Sequence, residues 1–243
     1  MKRSCFLMVA LLILTGLAAS ARPESDKQEV KEKSLAATEG VTVKIRMQSP
    51  NDMDTPLQVI CLFKHKKSGD TLLEAADEMD KKLGGAISAL RNRGEFAGDE
   101  LETLLLTPPK GAIKPQQLLL VGLGEEESLS LGTLERVGKV SLRTATDLGI
   151  KRVAFAPMLR DQGNSKFAVG DVERAVTRGI LLAYDTEKRL QKDGLAKRFT
   201  LEEWVAEAGE KFFDDTVPGA QKGIEDAKAE IAKRPSAPYA SGK

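Results

Sequence analysis

Apolar and polar positions alternate from Val41 to Met47: Val41, Val43, Ile45 and Met47 are separated by Thr42, Lys44 and Arg46. A period of two predicts a half-buried strand. Ser49-Pro50-Asn51-Asp52 then reads as a turn. Residues 57–63 are apolar enough for a central strand. Leu72, Ala75, Ala76, Met79 and Leu83 mark one helical face, with Thr71 as cap and Glu74 as its capping-box partner. Gly84-Gly85 breaks or bends that helix, and Ile87 and Leu90 resume an apolar face. Residues 103–106 predict a short strand stopped by Pro108-Pro109. Residues 118–123 predict an apolar strand ending in Gly122-Leu123-Gly124.

Leu131, Leu134, Val137, Ser141, Ala145 and Leu148 recur at helical spacing, and Gly149 suits a C-terminal cap. With a further buried strand at 151–156, the unit 118–123, 130–148, 151–156 is a βαβ crossover with parallel strands and right-handed connection. Asp171 is placed to cap the next helix, along which Val172, Ala175, Val176, Gly179, Ile180, Ala183 and Tyr184 form an amphipathic stripe. Leu201, Trp204, Val205, Ala208, Phe212 and Phe213 fit another stripe, with Thr200 and Glu203 as its capping box. The same stretch also reads as a short edge strand from Phe199 to Val205, so pattern leaves residues 199–213 open between helix and strand. Ala220, Ile224, Ala227 and Ile231 predict a final short helix. The expected fold class is α/β, with a mixed, mostly parallel sheet flanked by helices.

The first residues follow another logic. Lys2 and Arg3 precede an apolar run over residues 5–14, extended by residues 17–19. Ala19-Ser20-Ala21 and then Arg22-Pro23 complete the three-part pattern of a secretory signal. Residues 1–21 are therefore expected to be cleaved, and the protein exported to the periplasm or the medium. The run is short of the roughly 20 apolar residues of a membrane span, so no membrane association is expected after cleavage. Residues 22–39 read as a polar tether, 40–190 as the α/β domain, 191–234 as a helical extension packing on it, and 235–243 as a disordered tail.

Composition adds exclusions. The chain has 243 residues, 37 basic and 36 acidic side chains, and a formal charge of +1. That balance supplies no field for holding nucleic acid. One His excludes a zinc site of several imidazoles, and two Cys exclude a disulfide scaffold. Once Cys5 leaves with the signal, Cys61 remains, in an apolar run that suits a buried, inert thiol.

Candidate chemistry is sparse. Gly122 and Gly124, between a strand and a helix, are the crevice candidates, since a helix N-terminus there can bind an anion. The third glycine of a dinucleotide pattern is missing, with Glu127 in its place, and Glu125, Glu126 and Glu127 would repel a phosphate. Asp99, Glu100 and Glu102 read as a solvated acidic loop, and residues 64–67 as a small basic surface patch. His65 has no partner identifiable from sequence, and Ser68, Ser88 and Ser165 lack a nucleophile-elbow pattern. Trp204, Phe212 and Phe213 share a predicted face, read as core packing or, outside the main sheet, as an interface. No catalytic, metal-binding or cofactor-binding residue is assigned, and no cofactor is expected.

Several segments, in order, resemble a known family. They are Lys82-Leu83-Gly84-Gly85-Ala86-Ile87, Arg93-Gly94-Glu95-Phe96-Ala97-Gly98, Thr107-Pro108-Pro109 and residues 118–124. Leu148-Gly149-Ile150-Lys151-Arg152-Val153-Ala154 and Gly179-Ile180-Leu181-Leu182-Ala183-Tyr184 follow. Over about residues 57–190 this set resembles the N-terminal domain of the leucyl (cytosol) aminopeptidases. The resemblance implies a macro-domain-like layered α/β fold without peptidase chemistry. In that family the chemistry belongs to a C-terminal domain holding two metal ions on Asp, Glu and Lys, including an "NTDAEGRL" stretch. Nothing here matches that stretch, and too little chain follows Tyr184 for such a domain. The expectation is an exported, non-catalytic binding or interaction module. A metal-dependent aminopeptidase and a macro-like binder of nucleotide or ADP-ribose-like ligands are the alternatives. Family relatives assemble as hexamers, which implies self-association or association with a full-length aminopeptidase as partner readings.

Overall fold

The computed structural model describes residues 30–235. The segment read as a secretion signal, and all but the first residue of the predicted tail, lie outside the described residues. Within them, seven strands form one sheet: β1 (Glu32–Ala36), β2 (Thr42–Arg46), β3 (Leu57–Leu62), β4 (Thr103–Leu106), β5 (Leu118–Gly122), β6 (Arg152–Ala156) and β7 (Glu203–Glu207). The helices are α1 (Glu74–Lys82), α2 (Ala86–Asn92), α3 (Leu131–Leu148), α4 (Val169–Lys192) and α5 (Phe213–Ile231). The strand order is β1-β2-β7-β6-β3-β5-β4. The five inner strands run parallel, while β1 and β4 pair antiparallel at the two edges. The mixed, mostly parallel α/β sheet is thus present, and the carboxyl ends of its parallel strands share one rim.

Every residue of β3 and of β5 is buried, as a parallel sheet covered on both faces requires. Residues such as Val59 and Cys61 pack with α3, α4 and α5 on one face. Ile60 and Leu62 pack with Ala76 and Met79 of α1 and Ile87 of α2 on the other. β2 alternates as predicted, with Val43 and Ile45 buried and Thr42, Lys44 and Arg46 half-buried. β5 and β6 are both parallel to β3, which lies between them. Gly149 ends α3 at φ 69°, the left-handed conformation that suits a glycine cap. No helix among the described residues is long and apolar enough to cross a membrane.

The structure differs from the sequence reading in four places. First, residues 32–36, within the predicted tether, form β1. Its side chains are mostly exposed, so it carries no hydrophobic signal; backbone pairing with β2 holds it. Second, of the two readings left open for residues 199–213 the strand holds, at 203–207, but it is an interior strand flanked by β2 and β6 and not an edge one. Trp204-Val205-Ala206 is a short apolar run compatible with either period. Trp204 faces the α4 side, its ring 5.6 Å from that of Phe155, while Val205 faces Met53 and Ala154. The predicted helical extension 191–234 is therefore part sheet and part helix. Third, α5 is 19 residues long and packs along α4. Fourth, the predicted N-terminal caps are not used. Thr71 precedes α1 without capping it, Asp171 lies inside α4, and the N-caps of α1 and α4 are Leu73 and Ala168, neither with a side-chain bond.

Candidate functional site

At the carboxyl rim of a parallel sheet the chain leaves in diverging loops, which opens a crevice. Here the rim of β2, β7 and β6 carries a cavity of about 390 Å³. Its walls come from residues 47–50 after β2, 157–161 after β6 and 208–210 after β7. The N-terminal ends of α1, α4 and α5 close it, through Glu74 and Ala75, Val172 and Glu173, and Phe212 and Thr216.

Apolar side chains dominate this wall, among them Pro50, Met158, Phe167, Val172 and Phe212. The acidic groups are set into it at different depths. Asp161 substitutes for the missing cap of α1: its Oδ1 accepts from the backbone N–H of Ala75 at 2.9 Å and of Ala76 at 3.3 Å. Glu173 is buried on α4, and the Thr177 hydroxyl donates to its Oε1 at 2.6 Å. Burial pushes the Glu173 carboxyl up to about 7, with the Thr177 bond acting against it. Glu207 ends β7, and both its carboxyl oxygens are buried without a hydrogen-bond partner. Burial also lifts this group well above the ordinary carboxylate value; the Gln58 amide opposes the shift, Asp161 adds to it and Arg46 offsets part. Glu74 and Met158, both in the wall, hold left-handed backbone at φ 43° and 50°. Non-glycine residues store strain in that region, commonly beside sites.

A raised carboxyl has a defined effect on stability. Glu173 binds its proton more tightly folded than unfolded, so its contribution is full below about 4.5 and declines as pH rises to about 7. Glu173→Gln, which stays neutral, is expected to leave stability unchanged at pH 4.5 and to raise it at pH 8 by roughly 2–3 kcal/mol. Urea unfolding at the two pH values checks this; an equal effect at both would refute the shift.

Most residues singled out in the sequence lie elsewhere. Gly122 and Gly124 stand where β5 ends, but the chain fills the space beside them. A Cβ on Gly122 would fall 1.9 Å from the Asp99 carbonyl oxygen, and one on Gly124 3.2 Å from Glu100 Cβ. Leu101 N–H donates to the Gly122 carbonyl, and Gly122 N–H to that of Glu102. The acidic loop is more structured than its composition indicated, because the Glu102 carboxylate accepts from the backbone N–H groups of Ala97, Gly98 and Asp99. The basic patch is neutralised locally: Lys64 meets Asp99 and Glu125, and Lys66 meets Glu126. His65 does have a partner, Asp70, 3.0 Å from its Nδ1, and Arg91 holds the same carboxylate. Ser88 bonds Asp80, whereas Ser68 and Ser165 are exposed. Cys61 is a free, buried thiol, its pKa raised by that burial. Trp204 and Phe213 are core, while Phe212 lines the cavity.

Sequence reasoning therefore missed Asp161, Glu173 and Glu207. One signal was present for Glu207, a carboxylate ending an apolar run, had that run been recognised as a parallel strand.

Comparisons with known proteins agree with the fold. The "Cytosol aminopeptidase family, N-terminal domain" matches residues 59–193, more than half of the chain. A "Probable cytosol aminopeptidase" from Pseudomonas syringae pv. tomato is 35% identical over 105 residues, 43% of this chain and 20% of its own length. Its counterpart from Thermosynechococcus vestitus is 30% identical over 129 residues, 53% of this chain and 24% of its own. The chain thus spans about a fifth to a quarter of these curated relatives. Among solved structures, a tomato leucine aminopeptidase mutant superposes with TM-score 0.59 at 18% identity, covering 82% of this chain and 37% of that one. An Oceanobacillus iheyensis macrodomain with ADP superposes with TM-score 0.53 at 11% identity, covering 82% and 99%. Both are likenesses of fold. β2, β7 and α5, which build much of the cavity, lie outside the matched residues.

Proposed function

Because the chain belongs to the cytosol aminopeptidase family through that family's N-terminal domain, we propose that it acts as a non-catalytic binding module whose ligand site is the cavity at the carboxyl rim of β2, β7 and β6. The observation that carries the reading is Glu207. Small-molecule sites are largely apolar with a few polar groups that orient the ligand, and a buried carboxyl in the wall of an apolar cavity supplies such a group. The segment matching the family is its N-terminal one, and among the described residues no three His, Cys, Asp or Glu side chains converge to hold a metal ion. The signal-like residues 1–21 support export of the module, with Arg22 as the mature N-terminus. The family resemblance supports self-association, or association with a full-length aminopeptidase, as its partner interaction.

The test is a titration of the isotope-labelled protein with benzyl alcohol, followed residue by residue by NMR. Shifts confined to the cavity wall, at Phe167, Val172 and Ala208, are expected, and Val172→Trp should abolish them by filling the space. Shifts elsewhere, or none, would remove the cavity from consideration. The same preparation supplied with manganese or zinc should leave a leucyl chromogenic substrate uncleaved; chelator-sensitive turnover would overturn the non-catalytic reading.

A further inference from the structure

We propose that the cavity accepts an organic cation, a protonated amine on a small apolar body, with its ammonium group seated on the Glu207 carboxyl. This rests on the reading of the cavity as the ligand site.

Three observations converge. The first is the buried group: Glu207 lines the wall, both its Oε are buried without a well-formed hydrogen bond, and the Gln58 amide is the one neutral polar group set against them. An ammonium brings three N–H donors to two waiting acceptors. A neutral hydrocarbon would leave them unsatisfied, and an anion would gain no ion pair from a carboxyl.

The second is the charge balance of the wall. Glu74, Asp161, Glu173 and Glu210 join Glu207 there, and Arg160 is the one basic side chain among the described lining residues. Its guanidinium is engaged elsewhere, donating through Nη1 to the Asn164 carbonyl and through Nη2 to that of Phe167, each at 2.8 Å. Arg46, on the neighbouring β2, is engaged in the same way: its Nε donates to Glu32 at 2.7 Å. Among the described lining residues there is therefore no free cationic side chain with which to hold a phosphate or carboxylate. The fold likeness to a macrodomain with ADP does not extend to the chemistry of this wall, since a diphosphate would face carboxyl groups.

The third is shape. The remaining wall is apolar, and a volume of about 390 Å³ lies in the range of small-molecule sites. It suits a compact hydrocarbon body and is small for a dinucleotide.

Binding has a proton balance. Burial favours the neutral carboxyl in the free protein. When the ammonium seats on the protonated form, the Glu207 O–H gives its proton to solvent and the carboxylate pairs with the cation. Affinity then rises with pH, at most tenfold per unit, across the range where the free carboxyl is still protonated, and levels off above it. Asp161 widens that range and Arg46 narrows it. Glu74, Glu173 and Glu210 add negative potential, and Arg160 subtracts from it.

Calorimetric titration with phenethylamine, 2-phenylethanol and 3-phenylpropanoate separates the outcomes, because the three probes share a body and differ in charge. The amine is expected to bind at least tenfold tighter than the alcohol at pH 7.5, with the carboxylate weakest. Paired buffers of different ionisation enthalpy should report proton release at pH values where the free carboxyl is still protonated. Glu207→Gln should erase the preference for the amine, and Glu95→Gln, at an exposed carboxylate outside the cavity, should retain it. Equal binding of alcohol and amine, or a preference surviving in Glu207→Gln, would overturn the cation assignment while leaving the cavity a ligand site. Failure of all three probes would remove the cavity reading and this inference together. Should Glu207→Gln not fold, the pH slope and buffer dependence of the unaltered protein decide the matter.

Discussion

Arg91→Ala is expected to destabilise the domain by about 3–5 kcal/mol, the usual cost of stripping one partner from a buried ion pair. Arg91 is almost fully buried, its Nε 2.5 Å and its Nη2 3.0 Å from the two oxygens of Asp70. The same Nη2 donates to the Phe63 carbonyl at 2.7 Å, just past the end of β3. Asp70 in turn bonds His65 and accepts from Lys66 N–H. One guanidinium thus ties α2, the end of the central strand and the loop of residues 64–70 together. Burial pushes the Asp70 carboxyl up, but the Arg91 and His65 bonds outweigh it and hold the group at about 2. A lowered carboxyl contributes fully above its unfolded value near 3.8 and loses that contribution as pH falls through about 2. The penalty of Arg91→Ala should therefore be greatest at neutral pH and smaller at pH 2. Urea unfolding at both values measures it. A loss below about 1 kcal/mol at pH 7 would show that the pair contributes no more than a surface bridge.

Gly179→Ala carries the other large effect, a loss of about 3 kcal/mol. Glycine within a helix is unfavourable by about 1 kcal/mol relative to alanine, so a helical glycine that pays for itself does so by packing. A Cβ at position 179 would lie 2.1 Å from the Glu135 carbonyl oxygen of α3, a backbone atom that cannot swing aside. Gly138 makes the reciprocal approach from α3, where a Cβ would lie 2.6 Å from the Val176 carbonyl oxygen. α4 cannot simply back away, because its other side meets α5 through Gly170 and Gly219 at similar closeness. Overpacking of this kind costs 1–3 kcal/mol or more. Gly132→Ala on α3 is the control: its nearest neighbour would be 3.5 Å away, so the better helix former should be neutral or mildly stabilising. Thermal unfolding of both variants tests the argument. A lowering of roughly 6–12 °C for Gly179→Ala corresponds to the predicted loss; parity of the two variants would refute it.

The helix face of α4, the cap at Gly149, the buried strands β3 and β5 and the alternation of β2 were all readable along the chain. Each is a local pattern, imposed by the 3.6-residue turn of a helix or the two-residue pleat of a strand. The family resemblance drew on the same stretch, residues 57–190, where these patterns are densest. β1 was not readable, because an edge strand with exposed side chains announces itself only through its backbone partner. Gly122 marked a close approach, though the atom approaching it is the Asp99 carbonyl and not a ligand.

The candidate site lay beyond reach of pattern for a related reason. Asp161, Glu173 and Glu207 are separated widely along the chain and each looks unremarkable among its neighbours. The order of apolar and polar residues specifies which faces turn inward, since burial depends on each residue's own side chain and its local period. Whether Trp204-Val205-Ala206 extends or coils depends instead on hydrogen bonds to β2 and β6, two segments remote from it in sequence. That pairing carries Glu207 to the carboxyl rim of the sheet. The packing of α4 and of the turn at Asp161 then closes a wall around it. A carboxyl's partners, its burial and its proton affinity are properties of that assembled environment, so they exist only once the distant segments have met.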